Sequence, residues 1–312
     1  MIYTVTLNPA IDYVMTLPDF KEGTVNRSAR EEIFFGGKGI NVSIILNRLG
    51  VSSTALGFTA GFTGEAIKQG LSAQGITTDF IRLSSGNSRI NIKLKANRET
   101  EINAGGPSIS QSDLDRFFHR LNAVQQDDIL ILAGSIPPSL PNDTYEQILS
   151  HLSGKNILFA VDAAGPLLTS VLKYRPFLIK PNHIELGDIF SAEITTPDQA
   201  AEYAAELQKQ GARNVLVSMA AQGSVLLDEK GTVTAMKAPS GTAVNSVGAG
   251  DSMLAGFIAG YLRRNDYAYD AYPLALATAA GSATAFSEGL ADKELIYRLL
   301  EEVVLLNGTP KK

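Results

Sequence analysis

The sequence has 312 residues, of which 45% are hydrophobic and 19% are charged, and its formal net charge is −5. A mildly acidic chain without a basic block is not expected to bind nucleic acid or an anionic membrane surface. It contains no cysteine, which excludes disulfides, thiolate catalysis and cysteine-based metal sites.

Apolar strand-like runs alternate with helical segments along the chain. Because the runs are continuous, as in strands covered on both faces, they predict buried strands at 2–7, 129–134, 157–162, 177–182 and 214–219. Helices are predicted at 64–74, 111–123, 142–153, 197–210, 250–264, 270–286 and 291–306, and an antiparallel hairpin over 224–237. This order indicates an α/β fold with a doubly wound, mostly parallel sheet in one domain, 1–312.

Two segments, at about 12–35 and 87–103, alternate polar and apolar residues and have few helical signals. In "RINIKLK" (89–95), the apolar and the polar side chains are expected on opposite faces. We therefore predict a small second sheet whose polar face covers a site. The same polar residues could instead form the solvated face of an edge strand.

The stretch "NSVGAGDSMLAGF" (245–257) places Gly248, Ala249, Gly250 and Asp251 directly before an apolar helix. Unpaired N–H groups at a helix start, on residues with little or no side chain, can bind an anion. Two interpretations of Asp251 stay open: it is the N-cap of the helix, or it is a general base beside an anion site.

A second glycine cluster, "FFGGKGINVSIILNRLG" (34–50), also opens a helix and contains Lys38. Its spacing fits neither a Walker A loop nor a dinucleotide-binding fingerprint, which disfavours a nucleotide-dependent dehydrogenase.

The chain begins without a charged-then-apolar leader, and its longest apolar run, "MLAGFIAGYL", is too short to cross a bilayer. A cytoplasmic location is the expectation.

In "LIKPNHIEL" (178–186), Asn182 and Glu185 lie three apart just after a buried strand. For the pair alone, a helix cap with a capping-box glutamate is the favoured interpretation, and a Mg²⁺ site that acts through water is the alternative. "VSMAAQG" (217–223) has the same layout, a strand end followed by small residues.

Together these stretches resemble the PfkB (ribokinase-like) family of sugar kinases. The two signatures are "GGKGINVS" at 36–43 and "VGAGDS" at 247–252. Further stretches resemble the phosphosugar branch of the family, which holds 1-phosphofructokinases and tagatose-6-phosphate kinases: "TLNPAID" at 6–12, "RINIKL" at 89–94, "ETEIN" at 99–103 and "AGSIPPS" at 133–139. The resemblance implies a ribokinase-like three-layer fold with a β-sheet lid that often also makes a dimer contact.

The resemblance implies roles for individual residues. The catalytic group would be Asp251 as base, with an anion hole at Gly248, Ala249 and Gly250. Substrate-binding positions would be Asp12, Gly37, Asn41, Asn91 and Asn103 for the sugar, with Lys38, Arg89 and Arg27 for its phosphate. Nucleotide-binding positions would be Lys180, Asn182, Ser218, Ala220, Gly223 and Gly250, with Ala279 and Ser282 leaving room near the adenine. Asn182 and Glu185 would organise Mg²⁺ through water.

The expected activity is ATP- and Mg²⁺-dependent phosphorylation of fructose 1-phosphate at its 6-hydroxyl, which gives fructose 1,6-bisphosphate. Two alternatives stay open, a tagatose-6-phosphate kinase and a non-catalytic sugar-phosphate-binding protein. One residue departs from the family pattern, because Ala220 stands where glycine is expected. If that position needs a positive φ, alanine costs on the order of 1 kcal/mol there.

Overall fold

The computed structural model describes residues 1–264 and 270–306. Residues 265–269 and 307–312, which the predicted 1–312 domain includes, lie outside the described residues. The strands are β1 (Ile2–Thr6), β2 (Ala10–Thr16), β3 (Arg30–Gly36), β4 (Thr54–Thr59), β5 (Thr77–Arg82), β6 (Arg89–Lys95), β7 (Thr100–Ile102), β8 (Ile129–Ala133), β9 (Leu158–Asp162), β10 (Leu178–Ile179), β11 (Asn214–Ser218), β12 (Ser224–Leu227), β13 (Val233–Lys237) and β14 (Val304–Leu305).

The helices are α1 (Lys38–Arg48), α2 (Gly61–Ala73), α3 (Gln111–Leu121), α4 (Thr144–His151), α5 (Pro166–Ser170), α6 (His183–Phe190), α7 (Pro197–Lys209), α8 (Ala249–Leu262), α9 (Tyr272–Ala285) and α10 (Lys293–Leu300). Two 3₁₀ turns lie at Leu172–Tyr174 and Ala220–Gln222. None of these helices, within the part of the chain that the structure describes, combines the length and the apolar character that a membrane crossing needs.

The main sheet has ten strands in the order β14-β13-β12-β11-β10-β9-β8-β1-β4-β5. The strands from β11 to β5 in this order pair in parallel, whereas β11, β12, β13 and β14 pair antiparallel. Strand β1 pairs with β4 on one side and with the later β8 on the other. The chain therefore changes direction across the sheet at β1, and ligands of open α/β sheets bind at the carboxyl ends of strands at such a point.

Helices cover both faces of this sheet. One core cluster contains buried side chains of α3, α4, α6 and α7, and a second contains those of α1, α8, α9 and α10. Both faces of the parallel strands are thus removed from water, as the continuous apolar runs predict. The predicted three-layer α/β fold with a doubly wound, mostly parallel sheet is confirmed.

A second sheet of four strands, in the order β3-β2-β6-β7, stands apart from the main one. It is built from the two segments with alternating patterns, and Asp12 of β2 lies directly between Phe34 of β3 and Asn91 of β6. On one face are Asp12, Asn91 and Lys93; on the other are Ile33 and Ile102, which are 55% and 58% exposed. The interpretation of a sheet with one polar face is confirmed, although Asn91 is buried and not solvated.

The sequence predicts most elements to within a few residues, and the differences have physical reasons. The last predicted helix, 291–306, is wrong beyond Leu300, because Val304–Leu305 pairs with β13 as an edge strand. Strands β4 and β5 are not predicted. Strand β5, "TTDFIR", lies at the edge of the sheet and has only two successive apolar residues, so it lacks the continuous apolar run of the inner strands.

Candidate active site

Several charged and polar residues lie at the carboxyl edge of the main sheet. Lys38 and Asn41 come from the first turns of α1, Asp162 ends β9, and Lys180 follows β10. Helix α8 begins at the same edge and carries Asp251 in its first turn. The second sheet adds Asp12, whose carboxylate lies beside Gly36, as does the amide of Asn41.

Asp251 is the third residue of α8 and is only 5% exposed. Gly248 is the N-cap, and no side chain caps this helix, so the interpretation of Asp251 as a capping residue is wrong. The Asp251 carboxylate accepts a hydrogen bond of 2.7 Å from Asn41 Nδ2. Helix α1 therefore fixes the orientation of this carboxylate.

Burial raises the pKa of Asp251 to about 6, and the negative charge of Asp162 adds to this rise. The hydrogen bond from Asn41 and the charges of Lys38 and Lys180 act in the opposite direction. The group is still mostly ionised at pH 7, but it holds a proton far more readily than an exposed aspartate. A carboxylate with a pKa close to the working pH is suited to act as a general base.

The entry of α8 presents free backbone N–H groups. Gly248 has φ +80°, a left-handed conformation that favours glycine, and a methyl group added there would lie 2.6 Å from Leu290 Cδ2. The N–H of Ala249 donates to Ser246 O at 3.2 Å, whereas those of Gly250 and Asp251 have no acceptor within residues 1–264 and 270–306. This end of the helix can bind an anion.

Two lysines lie beside this helix entry. Lys38 Nζ is 3.4 Å from Asp162 Oδ1, and Lys180 Nζ is 3.3 Å from Asp162 Oδ2. Burial works to lower the pKa of Lys38, but the charges of Asp162, Asp251 and Glu185 outweigh it and raise that pKa above its usual value. Lys38 therefore remains a cation.

In the second sheet, which is the predicted lid, Asp12 is held by two donors. Its Oδ1 accepts from Asn91 Nδ2 at 2.8 Å, and its Oδ2 is 3.4 Å from Lys93 Nζ. A cleft of about 370 Å³ is lined by Asp12, Gly36, Asn41 and Lys93, so the lid carboxylate faces the same space as the partner of Asp251. This space is large enough for a sugar.

Three further residues that are predicted to bind the substrate lie in different places: Arg89, Arg27 and Asn103. Arg89 is half-buried and donates from Nε to Asn8 O at 3.1 Å, near the end of β6 that borders Asp12. Arg27 and Asn103 are exposed on the loops after β2 and β7. Gly37 is the N-cap of α1, next to Lys38.

Of the predicted nucleotide-binding residues, Lys180 and Asn182 follow β10 and Ser218 ends β11, and an isolated bridge between Asn182 and Ser218 joins the two segments. Ala220 begins the 3₁₀ turn after β11, and Gly223 follows this turn. Ala279 is fully buried within α9, so its contribution is limited to its small size, whereas Ser282 is half-buried.

Ala220 has φ +49°, the left-handed conformation in which alanine is strained. We expect Ala220→Gly to raise the free energy of unfolding by up to about 1 kcal/mol, since relief of this strain exceeds the extra flexibility of glycine in the unfolded chain. Thermal or denaturant unfolding measures the change. The matched control is Ala221→Gly at the adjacent turn position, which should lower the free energy of unfolding. If both variants lowered it, Ala220 would not be strained.

Asn182 and Glu185 form a capping box at the start of α6. The Asn182 side chain accepts from the N–H groups of Ile184 and Glu185, and Glu185 Oε2 accepts from the Asn182 N–H at 2.9 Å. Their predicted capping interaction is present, and it leaves Glu185 one oxygen for a further ligand. This arrangement fits water-mediated contact with Mg²⁺ rather than a direct protein cage.

Two charged residues at the site are missed by the sequence interpretation. Asp162 is not named among the predicted site residues, yet it lies against two lysines and does not cap the next helix, whose N-cap is Gly165. Lys93 belongs to the polar face that is predicted to cover a site, but no role is predicted for it; it lies against Asp12 with an 11% exposed side chain. A charge at the carboxyl end of an inner parallel strand is the signal that would have found Asp162.

Comparison with known proteins agrees with this geometry. Residues 5–295 match the model of the pfkB family carbohydrate kinases. The 1-phosphofructokinase of Bacillus subtilis is 46% identical over 97% of this chain and 98% of its own, and the D-tagatose-1-phosphate kinase of Bacillus licheniformis is 38% identical over 94% and 95%. The structure of phosphofructokinase-2 from Escherichia coli in complex with fructose-6-phosphate matches with a TM-score of 0.86 and 25% identity, over 96% of this chain and 98% of that one.

These matches cover nearly the whole chain and include both glycine signatures. The predicted enzyme class, an ATP-dependent sugar-phosphate kinase, is confirmed. The chain belongs to the pfkB family of carbohydrate kinases.

Proposed function

We propose that the protein transfers the γ-phosphoryl group of ATP to the 6-hydroxyl of fructose 1-phosphate and releases fructose 1,6-bisphosphate and ADP. The observation that carries this proposal is the buried Asp251, which Asn41 orients beside the free N–H groups of α8 and the lysines at Asp162. Phosphoryl transfer depends mainly on positioning and on neutralising charge, and this site supplies both.

In this mechanism Asp251 accepts the proton of the 6-hydroxyl as its oxygen attacks the γ-phosphorus. The bond from that phosphorus to the bridging oxygen breaks, and ADP leaves with the electron pair. The N–H groups at Gly250 and Asp251 and the ammonium groups of Lys38 and Lys180 stabilise the charge on the transferring group. Asp12 and Asn41, which both line the cleft, bind sugar hydroxyls.

The phosphate already on the sugar needs a cation away from the transfer site. Arg89 fits this role, because it lies near Asp12 at the lid and remains charged in proteins. Lys38 points to Asp162 and has Asp251 as a neighbouring charge, so it is better placed for the phosphoryl group in transit. Arg27 and Asn103 stay proposals for the same substrate.

Ser218, Ala220 and Gly223 are proposed to bind ATP. Glu185 is proposed to contact Mg²⁺ through water. When bound, Mg²⁺ would neutralise part of the charge on the phosphates of ATP. Within the described ranges no three His, Cys, Asp or Glu side chains could hold a metal ion together, so the phosphates and water must supply most ligands. Because ATP and sugar phosphates are metabolites of the cytoplasm, we propose that compartment.

The alternative substrate is a tagatose phosphate. The tagatose kinase among the relatives is named for the 1-phosphate and not the 6-phosphate. Since the relatives from both Bacillus species are named for sugars with phosphate on carbon 1, tagatose 1-phosphate replaces tagatose 6-phosphate as the second candidate. Fructose and tagatose differ only in the configuration of one hydroxyl.

A panel of sugar phosphates tests the substrate. We expect fructose 1-phosphate to give the highest kcat/KM in a coupled ADP-release assay, above fructose 6-phosphate, tagatose 1-phosphate and tagatose 6-phosphate. A preference for either tagatose phosphate would overturn the choice of sugar. Absence of ADP release with all four would favour the non-catalytic alternative.

We also propose that the apolar face of the lid meets a second copy of the chain. Ile33 and Ile102 are more than half exposed on that face, and Ile90 is 37% exposed. Apolar side chains grouped in this way mark interaction surfaces. Light scattering that finds only monomer at micromolar concentration would contradict a dimer.

A further inference from the structure

Asp162 is a buried charge without a role in the mechanism above. It ends β9 between β8 and β10, and it is 1% exposed. One oxygen lies 3.4 Å from Lys38 Nζ and the other 3.3 Å from Lys180 Nζ, and the second contact has no hydrogen-bond geometry. A buried carboxylate is costly unless cations compensate it, so this arrangement requires both lysines to stay near Asp162.

The two lysines approach Asp162 from different sides of the site. Lys38 is the first residue of α1, the helix that also carries Asn41, and its side chain passes Gly134. Lys180 follows β10 and is 4% exposed, and its Nζ would lie 3.1 Å from a methyl group added at Gly250. One ammonium group thus lies next to the helix that contacts the catalytic base, and the other next to the anion-binding N–H groups.

A lysine ammonium group on its flexible stem has no fixed direction of its own. Both contacts with Asp162 are longer than the 2.7–2.9 Å of a tight charge-assisted bond. Because an ammonium group has three N–H donors, each lysine keeps donors for a phosphate oxygen while Asp162 limits where it can move.

We propose that Asp162 is a positioning residue that holds Lys38 and Lys180 on the two sides of the phosphoryl group in transfer. It touches neither substrate in this arrangement and acts through the two lysines. The inference rests on the proposed phosphoryl transfer but not on which sugar accepts the group.

The test is Asp162→Asn, which keeps the shape of the side chain and removes its charge. We expect kcat to fall by about 10- to 10²-fold with the sugar-phosphate KM changed much less, because misplaced groups cost rate more than binding. We also expect the acid limb of the kcat/KM profile to move to lower pH. Asp162 raises the pKa of Asp251, and the other charges facing that carboxylate, Lys38 and Lys180, lower it.

The pH profile separates a positioning role of Asp162 from a purely structural one. A loosened fold lowers kcat but does not move the acid limb of kcat/KM to lower pH. The phosphate groups of the substrates also titrate near pH 6, but they do so equally with both enzymes. The control is Asp128→Asn, a buried aspartate at the opposite edge of the sheet that contacts the amino terminus, which should leave both kcat and the limb unchanged.

Asp162→Glu retains the charge and changes its position. We expect it to keep the acid limb of the wild type and to lose kcat, and it carries the test alone if Asp162→Asn does not fold. Wild-type kcat in either variant, or an unmoved limb in a folded Asp162→Asn protein, would overturn the inference. All assays use whichever sugar phosphate the wild type phosphorylates, so an error in the proposed sugar is seen in the wild type and does not affect this comparison.

Discussion

Replacing Asp251 with asparagine should lower kcat by about 10²- to 10⁴-fold and leave sugar-phosphate binding close to that of the wild type. Asparagine keeps the shape of the side chain and can still accept a hydrogen bond from Asn41, but it cannot take up a proton. The loss should therefore appear in the chemical step. Steady-state kinetics and equilibrium binding of the sugar phosphate measure the two quantities separately.

The same substitution should stabilise the fold at neutral pH. The pKa of Asp251 is raised from 3.8 to about 6, so the stability linked to this group is fully present below pH 3.8 and is lost as the pH rises through 6. A shift of this size corresponds to about 3 kcal/mol as an upper bound. We expect Asp251→Asn to unfold at higher denaturant concentration than the wild type at pH 8, with a smaller difference at pH 5.

The activity of the wild type should also depend on the ionisation of Asp251. Because the base must be ionised, kcat/KM should fall as the pH drops below about 6, the pKa of Asp251. If Asp251→Asn kept more than a tenth of wild-type kcat, another group would be the base and the non-catalytic alternative would gain support. A variant that is both inactive and less stable at pH 8 would mean that the carboxylate has mainly a structural role.

The architecture follows from local patterns of the sequence. Continuous apolar runs predict the inner strands, and apolar residues at helical spacing after Gly250 predict α8 to within two residues at each end. The polar and apolar alternation of residues 89–95 predicts a strand of the separate sheet, and the structure has β6 at those positions. These patterns are local, so they can be recognised without the folded structure.

The contacts within the site depend on residues far apart in the chain and are harder to predict. Asn41 and Asp251 are 210 positions apart, and Lys38 and Asp162 are 124 apart. The sequence alone cannot distinguish Asp162 as a helix cap from Asp162 as a counter-ion, because both put a carboxylate after a strand. Only the parallel pairing of β8, β9 and β10 brings this residue to the two lysines.

Asp12 should be the main determinant of sugar binding on the lid. Asn91 and Lys93 hold its carboxylate from within the second sheet, and it lines the same cleft as Asn41. A carboxylate fixed in this way accepts hydrogen bonds from sugar hydroxyls without losing its own freedom on binding. Hydrogen bonds to a charged group contribute about 1.5–3 kcal/mol each.

Asp12→Ala should therefore lower kcat/KM for the sugar phosphate by about 10²- to 10³-fold, mainly through a higher KM, while the KM for ATP stays within a few-fold of the wild type. The matched control is Asp19→Ala, which removes an exposed carboxylate near the end of β2 that pairs with Lys21. That variant should retain wild-type kinetics. An unchanged sugar-phosphate KM in Asp12→Ala, or an equal rise in the KM for ATP, would show that the lid carboxylate does not bind the sugar. Since Lys93 also lies 3.8 Å from Glu101, its charge keeps a partner when Asp12 is removed, and the lid should still fold.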